Sequence, residues 1–589
     1  MAGRRSRAVL SGAIAGARLA TKAYEPSLMP RSAVDQGLVA GGSFLTGFTA
    51  GVFVSFVFDL LPLKATGPLL RTAGLVTAGS RTAHVLSRDQ GVAGPLNPRQ
   101  SAWTEIGAEV VSGVALSRLI TQPGSRIART GAVAAFGATT VSDASSAVSK
   151  QANIPDARYF ATSAGVGLVS NVALAGVIAA VRLGGWIPSR AVRSKPLAAL
   201  LVQTIGSAVT AGAVAYTARV GVSRLLGKIA THNRAIEVAY SQAPSSSFVS
   251  GSSDSLVRYE SLGVQGRRLV SEVVTSEDIE EVMGEPARAD AIRVYVGVDS
   301  ASTEDDLVDL AIAELKRTGA FDRSTIIAAS PAGTGYVNYI TIEAAELMAR
   351  GDCATVAIQY GSLPSLMSIH KIPKASRLLA SLLTRIRAVL DEMGSPTALV
   401  AFGESLGAIT GQAGVDAASD GSDLIVNRAL WVGTPPGSPL LERLTARGTP
   451  IFDHPSEVAK YLKDQPAPDI MFLNHANDPV TKFGIEDLYR LPEWLAEPSR
   501  GRGTNPDQRW LPGVAFFQGL IDTKNAATVV PGEFLSSGHD YRADLAQFVK
   551  AAYGFDDVSA DQMGRIEDRL RESEVKRSAG IELGTVQHS

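Results

Sequence analysis

The feature that most constrains this chain is an uncharged stretch of small and apolar residues, GLVAGGSFLTGFTAGVFVSFVF, from Gly37 to Phe58. Its length suits the roughly 20 residues that a helix needs to cross a bilayer. Two further stretches, from Thr162 to Val181 and from Pro196 to Tyr216, have the same character. The first part of the chain is therefore predicted to be an all-α transmembrane domain, in which Gly, Ala and Ser allow the helices to pack closely.

Other apolar stretches are weaker candidates because they contain charged residues: Ala65 to Leu86, Trp103 to Ile120 and Gly131 to Val148. Some of these can equally be buried helices, so the prediction is about four to six spans. Basic residues before the first span and after the last favour a cytoplasmic position for both ends, although the basic loop around 190–195 conflicts with six spans. We expect a multi-pass protein of the cell membrane, with the soluble part preferably on the cytoplasmic side.

A Ser-rich polar stretch, SQAPSSSFVSGSSDS, marks the end of the membrane part. Beyond it, short apolar strands alternate with amphipathic helices, which indicates an α/β fold with a mostly parallel sheet covered on both faces. The predicted strands are IRVYVGV, STIIAAS, ATVAIQY, TALVAFG, RALWVGTP and DIMFLNH, and the predicted helices are Ser302–Gly319, Asn338–Gly351 and Lys374–Gly394. The predicted domains are a basic lead-in (1–36), a multi-span helical domain (37–230), a linker (241–260), an α/β catalytic domain (261–555) and a charged C-terminal helix and tail (556–589).

Composition excludes several classes of function. The chain has 56 Lys and Arg against 57 Asp and Glu, so it lacks the basic surplus of a nucleic-acid-binding protein. Its single cysteine, Cys353, permits neither a disulfide within the chain nor a cysteine-based zinc site. No metal-ligand spacing occurs, and no metal or other cofactor is expected.

The motif Gly403-Glu404-Ser405-Leu406-Gly407 fits the pattern G-x-S-x-G and stands between an apolar strand and a helix. A turn this tight leaves no room for side chains beside the serine, which accounts for the glycines on either side. It lifts the serine hydroxyl above the sheet at a helix N-terminus, where the helix dipole favours developing negative charge. The motif therefore predicts that Ser405 is a catalytic nucleophile.

A nucleophilic serine needs a general base, and the base needs an acid that orients it. Proteins with this strand–turn–helix motif carry the acid and then the histidine after the serine. Asp478, just past a predicted strand, and His539, in a loop before a helix, satisfy this order, while Asp453 and Asp540 remain alternative acids. The histidines whose position suits this order less well are His84, His232, His370, His454, His475 and His588.

An acyl-transfer intermediate also needs backbone N–H groups that bind its oxyanion. The first is predicted to be the N–H of Leu406, directly after the nucleophile. The second is predicted to come from the loop SPAGTGYV, in which Gly333 or Thr334 is the donor. This loop lacks the Gly-Lys-Ser/Thr ending of a phosphate-binding loop, so phosphate binding is not expected.

Several stretches between about Ile292 and Phe548 resemble the actinobacterial-type membrane-anchored alpha/beta-hydrolase family, in which a multi-span N-terminal domain precedes a hydrolase domain. They include VAIQYGSLPS, FGESLGA, NDPV, EWLAEP and SGHDYR. The resemblance implies an alpha/beta-hydrolase fold for the catalytic domain and a triad of Ser405, Asp478 and His539. It implies no particular substrate.

These features predict a membrane-bound serine hydrolase, esterase-like or lipase-like, that cleaves an ester of a lipid or of an acylated envelope compound through an acyl-enzyme. Tethering to the bilayer would raise the local concentration of such esters. The expected partners are the bilayer and the acyl-ester substrate, and the oligomeric state is left open. One alternative is an acyltransferase with the same triad. Another is a transporter or sensor whose hydrolase-like domain only binds a ligand.

Overall fold

The computed structural model describes residues 2–60, 97–121, 126–149, 156–192 and 236–586, apart from 422, 498, 527 and 528, together with short pieces between 198 and 224. The folded chain divides into two compact units. Unit 1 comprises Met1–Val220 and Lys482–Ala526, and unit 2 comprises Gly221–Thr481 and Ala527–Ser589. A segment of the soluble half is thus part of the N-terminal unit, while the predicted domain limits, drawn along the sequence, stay a prediction.

The helices in chain order are α1 (Ala2–Lys22), α2 (Ala33–Leu60), α3 (Pro98–Thr121), α4 (Arg126–Ser149), α5 (Ala157–Ser189), α6 (Gly263–Ser271), α7 (Ser276–Met283), α8 (Glu304–Arg317), α9 (Tyr339–Met348), α10 (Ser365–Ser368), α11 (Ile372–Met393), α12 (Leu406–Ala418), α13 (Pro439–Ala446), α14 (Pro455–Tyr461), α15 (Pro479–Lys482), α16 (Glu493–Ala496), α17 (Val514–Ala526), α18 (Leu545–Tyr553) and α19 (Ala560–Val586). The strands are β1 (Ile292–Val296), β2 (Thr325–Ser330), β3 (Cys353–Ile358), β4 (Ala398–Glu404), β5 (Arg428–Val432), β6 (Ile451–Phe452) and β7 (Ile470–Leu473).

Unit 2 is built around a seven-stranded parallel sheet in the order β1-β3-β2-β4-β5-β7-β6. Every residue of β1, β2 and β3 is buried, so both faces of these strands are covered, which explains their continuous apolar sequences. The predicted α/β fold is confirmed: the predicted strands coincide with β1 to β5 and β7, and the predicted helices with α8, α9 and α11. The edge strand β6 was not predicted, because two residues are too short to form a periodic pattern.

In unit 1, α1 and α2 pack together through glycines that let the two backbones approach. A Cβ atom at Gly12 would lie 2.8 Å from the carbonyl oxygen of Phe48, and one at Gly47 would lie 2.6 Å from that of Ala15. Larger residues at these positions would push the helices apart. The predicted lead-in therefore forms a packed helix of this unit, and the small residues have the role that close helix packing requires.

By length and composition, two helices in the described part of the chain are apolar enough to cross a membrane. They are Ala33–Asp59, with a mean hydropathy of 1.6, and Ala157–Ser189, with a mean hydropathy of 2.0. They coincide with the first two predicted spans. The third overlaps a shorter apolar helix, Leu201–Thr210, and is described only in part. The predicted span Ala65–Leu86 lies outside the described residues.

The other two weaker predicted spans coincide with α3 and α4, which contribute acidic residues to ion pairs inside unit 1. Lys22 on α1 lies 2.8 Å from Glu105 on α3. Arg509, in the segment from 482 to 526, lies 2.7 Å from Glu105 and 2.8 Å from Glu25. The side chain of Glu105 is 1% exposed. The segment is therefore joined to the N-terminal helices by a buried network of charges, and a domain of more than two spans stays a prediction.

Candidate active site

Ser405 is the single residue between the end of β4 and the start of α12. Its backbone angles are φ 56° and ψ −123°. Among the described residues, Ser405 and Arg350 are the non-glycine residues with positive φ. Such a conformation costs of order 1–3 kcal/mol and persists only where the surrounding structure enforces it. The strained turn places the serine at the N-terminus of a helix and at the carboxyl edge of the parallel sheet.

The glycines of the motif stand where no side chain fits. A Cβ atom at Gly403 would lie 2.4 Å from the carbonyl oxygen of Gly407. A Cβ atom at Gly407 would lie 2.3 Å from the carbonyl oxygen of Ser330 at the end of β2. Both distances are far inside van der Waals contact, so the helix approaches β2 this closely only with glycine at these positions.

His539 and Asp478 are brought together from loops that are 61 residues apart in the chain. The His539 Nδ1 atom lies 2.7 Å from Asp478 Oδ2, and the Asp478 side chain is fully buried. The backbone N–H of Val480 donates to Asp478 Oδ1 at 2.8 Å, and the Tyr541 hydroxyl donates to Asp478 Oδ2 at 2.6 Å. The carboxylate therefore accepts hydrogen bonds on both oxygens, and among the described residues the Nε2 atom of the imidazole has no partner.

The electrostatics of this pair favour a positively charged imidazole. Burial alone would lower the pKa of His539, but the charge of Asp478 and its hydrogen bond, with smaller contributions from Glu404 and Asp540, raise that pKa above its ordinary value. The ring therefore takes up a proton more readily than a free histidine does.

The sheet brings this pair to the same edge as the serine. The N–H of Ser405 donates to the carbonyl oxygen of Val432, the last residue of β5, at 2.9 Å. The next residue, Gly433, lies so close to the histidine that a Cβ atom there would be 2.7 Å from His539 Cε1. β5 is paired with β4 on one side and with β7 on the other, and Asp478 follows β7. Ser405, Asp478 and His539 thus gather at the carboxyl ends of three neighbouring strands.

The loop after β2 lies beside the turn, because Ser330 pairs with Gly403 in the sheet. Two carbonyl groups of this loop accept side-chain hydrogen bonds: Gln359 Nε2 donates to the Thr334 oxygen at 2.9 Å, and the Tyr295 hydroxyl donates to the Gly335 oxygen at 2.9 Å.

Within the described part of the chain, no hydrogen-bond acceptor is found for three backbone N–H groups, one directly after the serine and two in the loop after β2. They belong to Gly333, Thr334 and Leu406. The arrangement offers donors for an anion next to the serine.

The alternative residues have other partners. His475 is fully buried, with Nδ1 2.8 Å from the Gly538 oxygen and Nε2 2.8 Å from Asp544. Asp540 pairs with Arg542 at 2.7 Å. Asp453 accepts from the Ala476 N–H at 2.6 Å, and His454 accepts from the Ser456 N–H at the start of α14. His370 lies in a short turn before α11. His84, His232 and His588 lie outside the described residues.

Sequence reasoning missed Tyr541, which contacts Asp478, and Asn338, whose Nδ2 atom donates to Glu404 Oε2 at 2.6 Å. Tyr541 lies in the stretch SGHDYR and Asn338 directly follows the loop SPAGTGYV, but no spacing rule pointed to either residue. In the part of the chain that the structure describes, no group of three or more His, Cys, Asp or Glu residues is arranged to hold a metal ion.

Comparison with known families agrees with this geometry. A family model described as "Alpha/beta-hydrolase family" matches residues 292–566, which include the sheet, the serine turn and the His539–Asp478 pair. A second model, described as "Alpha/beta-hydrolase family N-terminus", matches residues 106–273. Neither a curated protein nor a solved structure matches the chain. The two family matches together take in most of the chain's length, so the chain is similar to the alpha/beta-hydrolase family in both its helical and its sheet-containing parts.

Proposed function

We propose that the protein is a serine hydrolase that cleaves a carboxylic ester. The observation that carries this proposal is the strained backbone of Ser405, at φ 56° in a turn where a non-glycine residue is rarely found. A serine with no chemical role would be replaced by glycine there at a gain in stability, so the strain supports a role for the hydroxyl group.

In the proposed reaction, Ser405 Oγ attacks the ester carbonyl carbon while His539 Nε2 accepts the serine proton. Asp478 holds Nδ1–H of the imidazole and stabilises the ring when it becomes charged. The oxygen of the tetrahedral intermediate is bound by the N–H of Leu406 and by that of Gly333 or Thr334.

The intermediate collapses when the C–O bond to the leaving alcohol breaks and His539 returns its proton to that oxygen. Water then attacks the acyl-enzyme with His539 again accepting a proton, and Ser405 is restored with release of the acid. Each step uses the Nε2 atom of the imidazole, which has no partner among the described residues, and this is consistent with the binding of Nδ1 to Asp478.

The proposed substrate is an ester of a lipid or of an acylated envelope compound, and the proposed location is the cell membrane in a multi-pass arrangement. This part rests on α2 and α5, whose apolar length suits a bilayer. On α5, side chains such as Val169, Val172 and Ile178 are exposed to the surroundings of unit 1, where an aqueous solvent would disfavour them. An enzyme held in the bilayer meets lipid esters without extracting them into water.

The test is labelling of membranes from cells that express the protein with a fluorescent fluorophosphonate, which reacts with activated serines. We expect the full-length protein to be labelled, the Ser405→Ala variant to lose all labelling, and a Ser253→Ala variant, changed at an exposed serine, to retain it. Labelled protein would then be assayed for release of fatty acid from lipid esters. A folded protein that resists labelling at every pH would refute the proposal.

A further inference from the structure

Glu404 lies directly before the serine and is tied to the loop after β2. Its Oε2 atom accepts a 2.6 Å hydrogen bond from Asn338 Nδ2. Asn338 in turn begins α9, because its Oδ1 atom accepts from the N–H of Ile340 at 3.0 Å. One asparagine therefore connects the start of a helix with the residue beside the nucleophile.

This connection fastens the far end of the loop that carries the unpaired N–H groups. The near end is fixed by the pairing of Ser330 with Gly403 in the sheet. Gln359 and Tyr295 also hold this loop through its Thr334 and Gly335 carbonyl groups, but the bond between Asn338 and Glu404 links its far end directly to the residue before the serine. We infer that the positions of the Gly333 and Thr334 N–H groups relative to Ser405 depend in part on that bond.

Glu404 also contributes charge to the site. Burial raises the pKa of Glu404, while the nearby His539 ring and the Asn338 hydrogen bond act against this rise. The negative charge of Glu404 in turn helps to raise the pKa of His539. The other titratable groups that interact with Glu404 are Asp478, Asp540, Tyr336 and Tyr541. Glu404 is thus a second carboxylate whose charge acts on His539, besides Asp478, which contacts the ring.

We propose that Glu404 is a positioning residue for the reaction at Ser405: through Asn338 it holds the N–H-bearing loop against the serine turn, and its carboxylate stabilises the charged form of His539 together with Asp478. The inference rests on the proposed function, since it names a further residue of the same site. It assigns a role to the second residue of the G-x-S-x-G motif, where the pattern itself accepts any residue.

Two substitutions separate the two roles. Glu404→Gln keeps an oxygen that accepts the Asn338 N–H but removes the charge. Asn338→Ser keeps an oxygen that caps α9 but is too short to reach Glu404, so the charge stays and the connection is lost. Glu442→Gln makes the same chemical change on the exposed surface of α13 and is the matched control.

The measurement is the second-order rate constant of fluorophosphonate labelling of the full-length protein from pH 5 to pH 9. Labelling requires neutral His539 and therefore rises with pH through the pKa of that residue. For Glu404→Gln we expect the midpoint of this rise to move down by about one pH unit, because a charge that favours the protonated ring is gone. For Asn338→Ser we expect an unchanged midpoint and a plateau lowered roughly tenfold, less than the loss of a whole oxyanion donor.

A Glu404→Gln midpoint that stays in place or moves up would overturn the electrostatic role, and an Asn338→Ser plateau equal to that of Glu442→Gln would overturn the positioning role. If Glu404→Gln does not fold, Glu404→Asp serves instead: it must keep the original midpoint with a lowered plateau, and a shifted midpoint would contradict the inference. Failure of the unaltered protein to label at any pH would instead count against the proposed function itself.

Discussion

The Tyr541 hydroxyl offers the sharpest test of how the acid of the site is held. It donates to Asp478 at 2.6 Å and accepts the backbone N–H of His475 at 3.1 Å. Burial and the Asp478 carboxylate raise the pKa of Tyr541 well above its usual range, so the phenol stays neutral and keeps its proton to donate. Tyr541→Phe removes this oxygen alone, because the ring that stacks on His475 at 4.1 Å between centroids is kept.

The expected loss of stability follows from the two bonds. A hydrogen bond to a charged acceptor contributes about 1.5–3 kcal/mol, and a buried N–H left without an acceptor costs about 1–3 kcal/mol. Tyr541 is 1% exposed, so water does not replace the lost oxygen. Allowing for relaxation of shared neighbours, we expect Tyr541→Phe to lower the free energy of unfolding of unit 2 by roughly 2–4 kcal/mol.

The assay is thermal unfolding of the purified full-length protein, in which this loss corresponds to roughly 3–6 °C in the transition of unit 2. Tyr360→Phe is the control, because the Tyr360 hydroxyl is buried and has no hydrogen-bond partner among the described residues. The midpoint of labelling should also move to higher pH in Tyr541→Phe, since Asp478 loses a competing donor and raises the pKa of His539 further. Equal unfolding temperatures for the two Phe variants would refute the reasoning.

Other substitutions test the strain, the base and unit 1. Ser405→Gly should abolish labelling yet stabilise the protein by about 1 kcal/mol, since glycine adopts φ 56° without strain, and a less stable glycine variant would contradict this. Because the pKa of His539 is raised above 6.5, the labelling rate of the unaltered protein should fall as the pH falls, with a midpoint above that value. A pH titration of the labelling rate tests this expectation, and a midpoint below 6.5 would contradict it. Arg509→Met leaves Glu25 and Glu105 buried without this partner and should destabilise unit 1 by about 3–5 kcal/mol. The loss would be followed as thermal aggregation in detergent. An unchanged aggregation profile would mean that other groups stabilise the two carboxylates.

Much of unit 2 could be predicted from local patterns. Apolar runs such as TIIAAS and CATVAI are buried on both faces, so a continuous run without alternation was the correct sign of a central parallel strand. The serine turn was predictable as well, because the glycines on either side of the serine are required by the lack of room for side chains within this five-residue motif. Asp478 and His539 were predicted as a pair from chain order, from their positions beside predicted elements and from the family resemblance, and the structure places them 2.7 Å apart.

The features that escaped prediction depend on residues far apart in the chain. Asn338 and Glu404 are 66 positions apart, and nothing near either residue indicates the other. The pairing of Arg509 with Glu25 spans 484 positions. For the same reason, the grouping of the segment 482–526 with the N-terminal helices was not predicted, since its own sequence resembles that of a soluble domain.

The sequence by itself determined the α/β class of unit 2, the serine at the tight turn and the apolar helices of unit 1, because each follows from the period and size of neighbouring side chains. Only the tertiary structure decided which donors hold Asp478, that Glu404 is fastened to the loop beside the serine, and which part of the soluble half joins the helical unit. Buried hydrogen bonds and ion pairs form where folding brings complementary groups together. Which groups come into contact depends on the packing of the whole chain rather than on any short stretch of it.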